Sequence, residues 1–183
     1  MSNATSNSTT WALDASHSEV GFGIRHMMIS TVKGSFSDVQ GTIHLNEENF
    51  GASTVHVDIQ VGSISTGNAD RDAHLKSGDF FDADSFPLIT FRSTGVEGEP
   101  DNFKVKGALS IRGESREVVL DGRELGRGTD PWGNPRVAFQ ADTVISRKEF
   151  GLTWNQALET GGVLVGDEVR ISLEVQAIPA SGN

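Results

Sequence analysis

Apolar and polar residues alternate at period two along almost the whole chain, a pattern that restricts it to sheets buried on one face. Val20, Phe22 and Ile24 alternate with Gly21, Gly23 and Arg25, and Val55, Val57, Ile59 and Val61 alternate with His56, Asp58 and Gln60. Ile89 and Phe91, then Val105, Leu109 and Ile111, then Val137, Phe139 and Ile145, and finally Val169, Ile171, Leu173 and Val175 repeat the pattern. With 21 Gly against 5 Pro, the chain suits the many bends of an antiparallel sheet better than a helical bundle. About eight strands in hairpin order can close on themselves, which removes exposed edges and leaves an interior for packed side chains or one elongated ligand.

The alternation is interrupted twice. Between Asn68 and Phe81, Arg71, His74, Leu75 and Gly78 fall on one side of a short helix that Gly78-Asp79 would end. Phe80, Phe81 and Phe86 then add apolar weight near a sheet opening, and Pro87 turns the chain back to extended geometry at Leu88. Arg147 to Gly162 forms the second break, an irregular cap carrying Phe150, Leu152 and Trp154. Gly41 to Leu45 and Thr54 to Val61 read as a hairpin whose centre near Phe50 sets Ile43 opposite Val57 and His44 opposite His56. Long turns are expected over Glu97 to Asn102 and Gly126 to Pro135.

At 183 residues without a shift in composition, the chain reads as one domain over 11–178 between flexible polar tails at 1–10 and 179–183. A formal net charge of -10 argues against nonspecific binding of nucleic acid or of an anionic membrane. The lack of cysteine excludes disulfides, thiolate catalysis and cysteine-based metal sites. No apolar run suits an integral membrane segment, and the polar start after Met1 reads as cytoplasmic, or as periplasmic or extracellular if a signal has been removed.

Several short motifs, taken in order, resemble the YceI family. They are Asp14-x-x-His17-Ser18, Val20-x-Phe22-x-Ile24-x-His26, Gly34-x-Phe36, Arg71-x-x-x-Leu75-x-Ser77-x-Asp79-Phe80-Phe81, Pro87-x-Ile89-x-Phe91-x-Ser93, Gly107-x-Leu109-x-Ile111-x-Gly113 and Ser146-Arg147-x-x-Phe150-Gly151. The resemblance spans roughly Trp11 to Ala177. It implies an all-β, up-and-down, lipocalin-like antiparallel barrel with its short helix near the mouth. It also implies a bacterial source, a frequent homodimer, and an interior that holds an isoprenoid chain, an isoprenoid quinone or a fatty-acid derivative without any required cofactor. Many members resemble exported periplasmic proteins; this chain, as written, lacks their signal.

The expected apolar pocket comprises Val20, Phe22, Ile24, Val57, Ile59, Leu75, Phe80, Ile89, Phe91, Leu109, Ile111, Val137, Phe139, Phe150, Ile171 and Leu173. These side chains can equally fill a solid barrel. His26, Arg71, His74 and Arg147 are the candidates for a polar head group, since guanidinium and imidazole suit a phosphate, a quinone carbonyl or an amide. Arg71 can instead pair with Asp70, Asp72 or Asp79, and His26 can be a core residue satisfied by backbone. His44 and His56 supply two ligands without a third, too few for a zinc site. Neither a nucleophile elbow nor a phosphate-binding loop is present, so a binding protein is expected rather than an enzyme. The alternatives are an enzyme acting on a head group in the same pocket and a ligand-free dimerising scaffold.

Overall fold

The computed structural model describes residues 8–180. Its strands are β1 (Ser8–Leu13), β2 (Glu19–His26), β3 (Ser30–Phe36), β4 (Val39–Asn46), β5 (Thr54–Gln60), β6 (Ile64–Ser65), β7 (Leu88–Glu99), β8 (Asn102–Ile111), β9 (Glu114–Thr129), β10 (Pro135–Ser146) and β11 (Val165–Pro179), with one helix, α1 (Ala69–Lys76). β1 and β2 lie end to end along one edge of β11, interrupted by the polar turn after Asp14. β3 with β4, and β5 with β6, form two further interrupted ribbons. Three ribbons and β7 to β11 make a closed, eight-stranded antiparallel barrel, sealed where Trp11 faces Pro179 and Leu13 faces Ala177. The period-two pattern thus resolves into the expected up-and-down architecture.

The two breaks in alternation lie at one end of the barrel, the cap end, together with the turns after His26 and Ile111. The chain ends and the turns after Asn46, Glu99 and Thr129 form the opposite floor. Asn68 caps α1 by accepting the Arg71 amide at 2.9 Å, and Asp70 and Asp72 complement the first turn as His74 and Lys76 do the last. Eight residues are too few to hold a helix by themselves, and α1 buries none completely. Apolar side chains anchor it instead: Leu75 and Phe81 pack against the core and Phe80 is buried in it.

Several boundaries differ from expectation. The β4–β5 hairpin pairs Ile43 with Val55, Thr42 with His56 and His44 with Thr54, so the two histidines do not face each other. The cause is local: Asn46 Oδ1 accepts the amides of Glu48 and Asn49, and a helical turn at Phe50–Ala52 moves the loop centre. A slip of two residues preserves the faces, so the inward set is unchanged. The turn after β7 contracts to Pro100-Asp101, and β9 runs on to Thr129, because both segments continue in ladder register. Of the expected 1–10 tail, residues 1–7 lie outside the described residues, whereas Ser8 to Thr10 already pair with β4. At the other end Pro179 belongs to β11, and residues 181–183 lie outside the described residues.

Backbone strain gathers at the cap end. Met27, Met28, Asp82 and Arg112 hold φ of 52°, 62°, 49° and 51°, a region that costs side-chain-bearing residues about 1 kcal/mol or more each. Arg112 with Gly113 makes the tight β8–β9 hairpin, where two consecutive positive φ values fit the twist of the strands.

Candidate ligand-binding site

The inward faces of the strands surround a cavity of about 390 Å³, within the range of about 300–1,000 Å³ typical of ligand pockets. Its wall contains Val20, Phe22, Ile24, Val57, Ile59, Leu75, Phe80, Ile89, Phe91, Leu109, Ile111, Phe139, Ile171 and Leu173, together with His26, Arg71, His74 and Arg147. Of the expected set, Val137 and Phe150 stand apart. Val137 shares the parity of Phe139 on β10 but sits at the floor opposite Ala177, where both are fully buried. Phe150 is packed under the second cap and borders a small surface cleft with Arg112 and Trp154.

Three glycines make room for rings on the wall, Gly122 among them, where a Cβ would fall 2.5 Å from Phe103. At Gly34, a Cβ would fall 2.4 Å from the tip of Phe22 across the β2–β3 pair; at Gly107, it would fall 2.4 Å from Phe91 and 2.6 Å from the Arg92 carbonyl oxygen. Only glycine lets a ring lie flat on the neighbouring strand there. Phe36, Phe103 and Trp154 also line the cavity. Phe36 was legible from the Val32-x-Gly34-x-Phe36 spacing and Phe103 from its parity with Leu109, whereas Trp154 lies on irregular chain with no periodicity to reveal it.

The polar wall residues are mostly at the cap end, and the wall contains arginine, histidine, serine and threonine but no Asp or Glu. That sign is opposite to the chain's formal net charge of -10. Arg71 donates through Nε to Thr66 Oγ1 at 2.7 Å and through a terminal nitrogen to the Thr66 carbonyl at 2.8 Å. Among the described residues no carboxylate lies within 4.0 Å of the Arg71 guanidinium; Asp72 instead accepts from Thr66. His74 meets Asp79 at 2.9 Å through Nε2, and its ring lies 4.7 Å from that of Trp154 and 5.1 Å from that of Phe80, centroid to centroid. These contacts bind α1 to the second cap over the cavity.

Arg147 works differently from the others. Its guanidinium donates to the carbonyls of Gly166 at 2.7 Å, Leu152 at 2.5 Å, Trp154 at 2.9 Å and Val165 at 3.3 Å. The fork is therefore spent on pinning the second cap. Burial pushes its pKa below the ordinary arginine value, and Asp167 at 3.7 Å acts in the opposite direction. Arg112 joins the caps from outside, donating to Gly78 and Gly151 carbonyls at 2.9 and 3.1 Å.

Outside the cavity, Asp14, Ser16 and His17 cluster at the β1–β2 turn, but Ser16 Oγ and Asp14 Oδ2 both meet His17 at Nδ1, so the ring cannot relay a proton between them. Among the described residues no three His, Cys, Asp or Glu side chains converge as metal ligands, and no helix is long and apolar enough to cross a membrane.

Comparison with known proteins agrees with this architecture. A family model described as a YceI-like domain matches residues 11–177. A UPF0312 protein of Pectobacterium atrosepticum is 39% identical over 140 residues, covering 76% of this chain and 73% of that protein. The crystal structure of the Campylobacter jejuni YceI protein superposes with a TM-score of 0.72 at 30% identity, covering 86% of this chain and 90% of that one. A polyisoprenoid-binding domain from Saccharophagus degradans has the same fold, with a TM-score of 0.68 at 14% identity over 94% of this chain and 99% of that one.

Proposed function

This chain belongs to the YceI-like domain family, and from that membership and its cavity together we propose that it binds, carries or sequesters a long-chain amphiphile, without chemistry. The observation that carries the reading is the cavity itself: an interior of about 390 Å³ with an apolar wall and basic groups at one end. A polyisoprenoid, an isoprenoid quinone tail or an acyl chain would gain about 0.8 kcal/mol per methylene buried there. Its head would lie under the caps near Arg71, His74 and His26, where a phosphate or carbonyl oxygen finds donors; the Arg71 guanidinium has no carboxylate partner there, whereas His74 also meets Asp79. Arg147 supports the site by holding the cap. The polyisoprenoid-binding domain of Saccharophagus degradans supports the ligand class.

No cofactor is required in this reading. The homodimer belongs to the same proposal and is tested by sedimentation; the compartment, cytoplasm or periplasm, is tested by fractionating the native host.

The experiment is native mass spectrometry of protein purified without detergent, before and after organic extraction. An extra mass that extracts as an isoprenoid or acyl lipid is expected. Ala141→Phe, which fills the cavity with apolar volume, should abolish that mass while preserving the circular dichroism spectrum and cooperative melting. A folded Ala141→Phe protein that still carries the full lipid complement overturns the assigned site, and a parent protein that stays empty even after incubation with polyprenols, quinones and fatty acids overturns the function.

A further inference from the structure

An exposed apolar rim stands directly above the basic end of the cavity. The β2–β3 turn exposes Met27, Met28 and Ile29 by 42%, 60% and 76%, and Val163 of the second cap is 39% exposed beside them. The two segments are joined: the Met27 amide donates to the Leu164 carbonyl at 2.8 Å, and the Met28 sulfur lies over Gly162. Arg25, His26, Leu164 and Val165, which flank these exposed residues, line the cavity. The strained φ values at Met27 and Met28 keep the thioethers at the tip of the turn.

The charge of the hairpin that carries this tip is unlike that of the rest of the chain. Between Glu19 and Asp38 the chain has no Asp or Glu, its longest interval without one, while it carries Arg25, His26 and Lys33. Lys33 is exposed on β3 beneath the tip. On neighbouring β11, Asp167 is 3.2 Å from Lys148 and 3.7 Å from Arg147, with Glu168 next to it in sequence; in the second cap, exposed Glu159 stands in the turn closed by Leu158 and Gly162. An apolar tip on a cationic hairpin matches the two needs of a reversible lipid anchor, buried apolar area and attraction to anionic head groups.

We propose that the Met27-Met28-Ile29 turn, with Val163, docks the cap end on an anionic lipid surface and so brings the cavity to the membrane from which its ligand is drawn. The proposal rests on the lipid-carrier reading. The excess of negative charge elsewhere keeps the association weak and orients it, turning the acidic remainder away from the surface.

The test is flotation of the full chain with vesicles of phosphatidylcholine alone and of equimolar phosphatidylcholine and phosphatidylglycerol, with ligand occupancy measured separately by native mass spectrometry. The parent should float with the anionic vesicles and less so at high salt. Ile29→Asp should reduce that binding about tenfold or more, and Lys33→Glu several-fold, on anionic vesicles only. Both should keep the parent's melting behaviour and cavity occupancy, since neither residue lines the cavity. No flotation of the parent, or equal flotation of a folded Ile29→Asp protein, overturns the proposal. So does a parent that sediments as an oligomer which Ile29→Asp dissociates without any vesicle effect, because the tip would then cover a second copy. Vesicle binding with a cavity that stays empty would sink the carrier reading while leaving the docking surface standing.

Discussion

Replacing Arg147 by methionine tests whether the second cap hangs on a single side chain. The side chain is 3% exposed, and its guanidinium donates to four backbone carbonyls spread over residues 152–166. Methionine keeps most of the apolar stem and removes every donor. The Val165 carbonyl keeps the Asn155 side-chain amide at 2.8 Å, and each of the other three carbonyls left without a partner costs about 1–3 kcal/mol. Part of this is recovered as the loosened cap admits water, and removing a buried charge offsets more. The net loss should be about 3–5 kcal/mol, as for breaking a buried charged network. At about 2–4 °C per kcal/mol in a chain of this size, Tm falls by roughly 6–20 °C. Arg147→Lys keeps the charge but cannot span four acceptors, so it should lie between the two. Chemical denaturation gives the loss, and hydrogen exchange at the Leu152 and Val165 amides, which bond to Arg147 O and Asn155 Oδ1, locates it. An Arg147→Met protein within about 1 kcal/mol of the parent, below the typical cost of one unpaired buried carbonyl, with those amides still protected, would refute the clamp.

Arg112→Ala removes the link from the β8–β9 turn to Gly78 and Gly151; a loss of about 1 kcal/mol from an exposed site should show mainly as several-fold faster lipid release in a stopped-flow exchange assay. Gly107→Ala places a methyl against the Arg92 carbonyl and Phe91, and should cost about 1–3 kcal/mol in denaturant melts while displacing that ring into the cavity. Asp14 is held well below the usual carboxylate range, first by its bond to Arg136 and then by Ser16, with burial opposing. A depressed folded pKa stabilises above the unfolded value of about 3.9 and loses that stabilisation as pH falls toward the folded value. Asp14→Asn should therefore melt lower than the parent at neutral pH, and the gap should narrow in Tm scans below about pH 4.

The barrel was legible because its inward set is redundant. Val20, Phe22 and Ile24 share a face whatever the exact register, and even the two-residue slip at His44 and His56 leaves Ile43 and Val57 pointing inward. The floor was less legible: Val137 carries the same alternation as the cavity wall, and only its place opposite Ala177 makes it packing. The caps were least legible. Arg147 has the residue type of a ligand-binding fork, and its commitment to backbone carbonyls depends on the path of residues 150–166, which no periodicity encodes. Arg112 gave no signal beyond preceding a glycine, since its two partners are 34 and 39 residues away in sequence.

The seam where Trp11 faces Pro179 sets both ends of the described chain side by side at the floor, with the cap end at the far pole. A dye, bead or fused domain attached at the floor therefore leaves the cap end unobstructed and directs it outward. Fused through that seam to a support, molecules would stand as an oriented layer with their cap ends all facing the same solution.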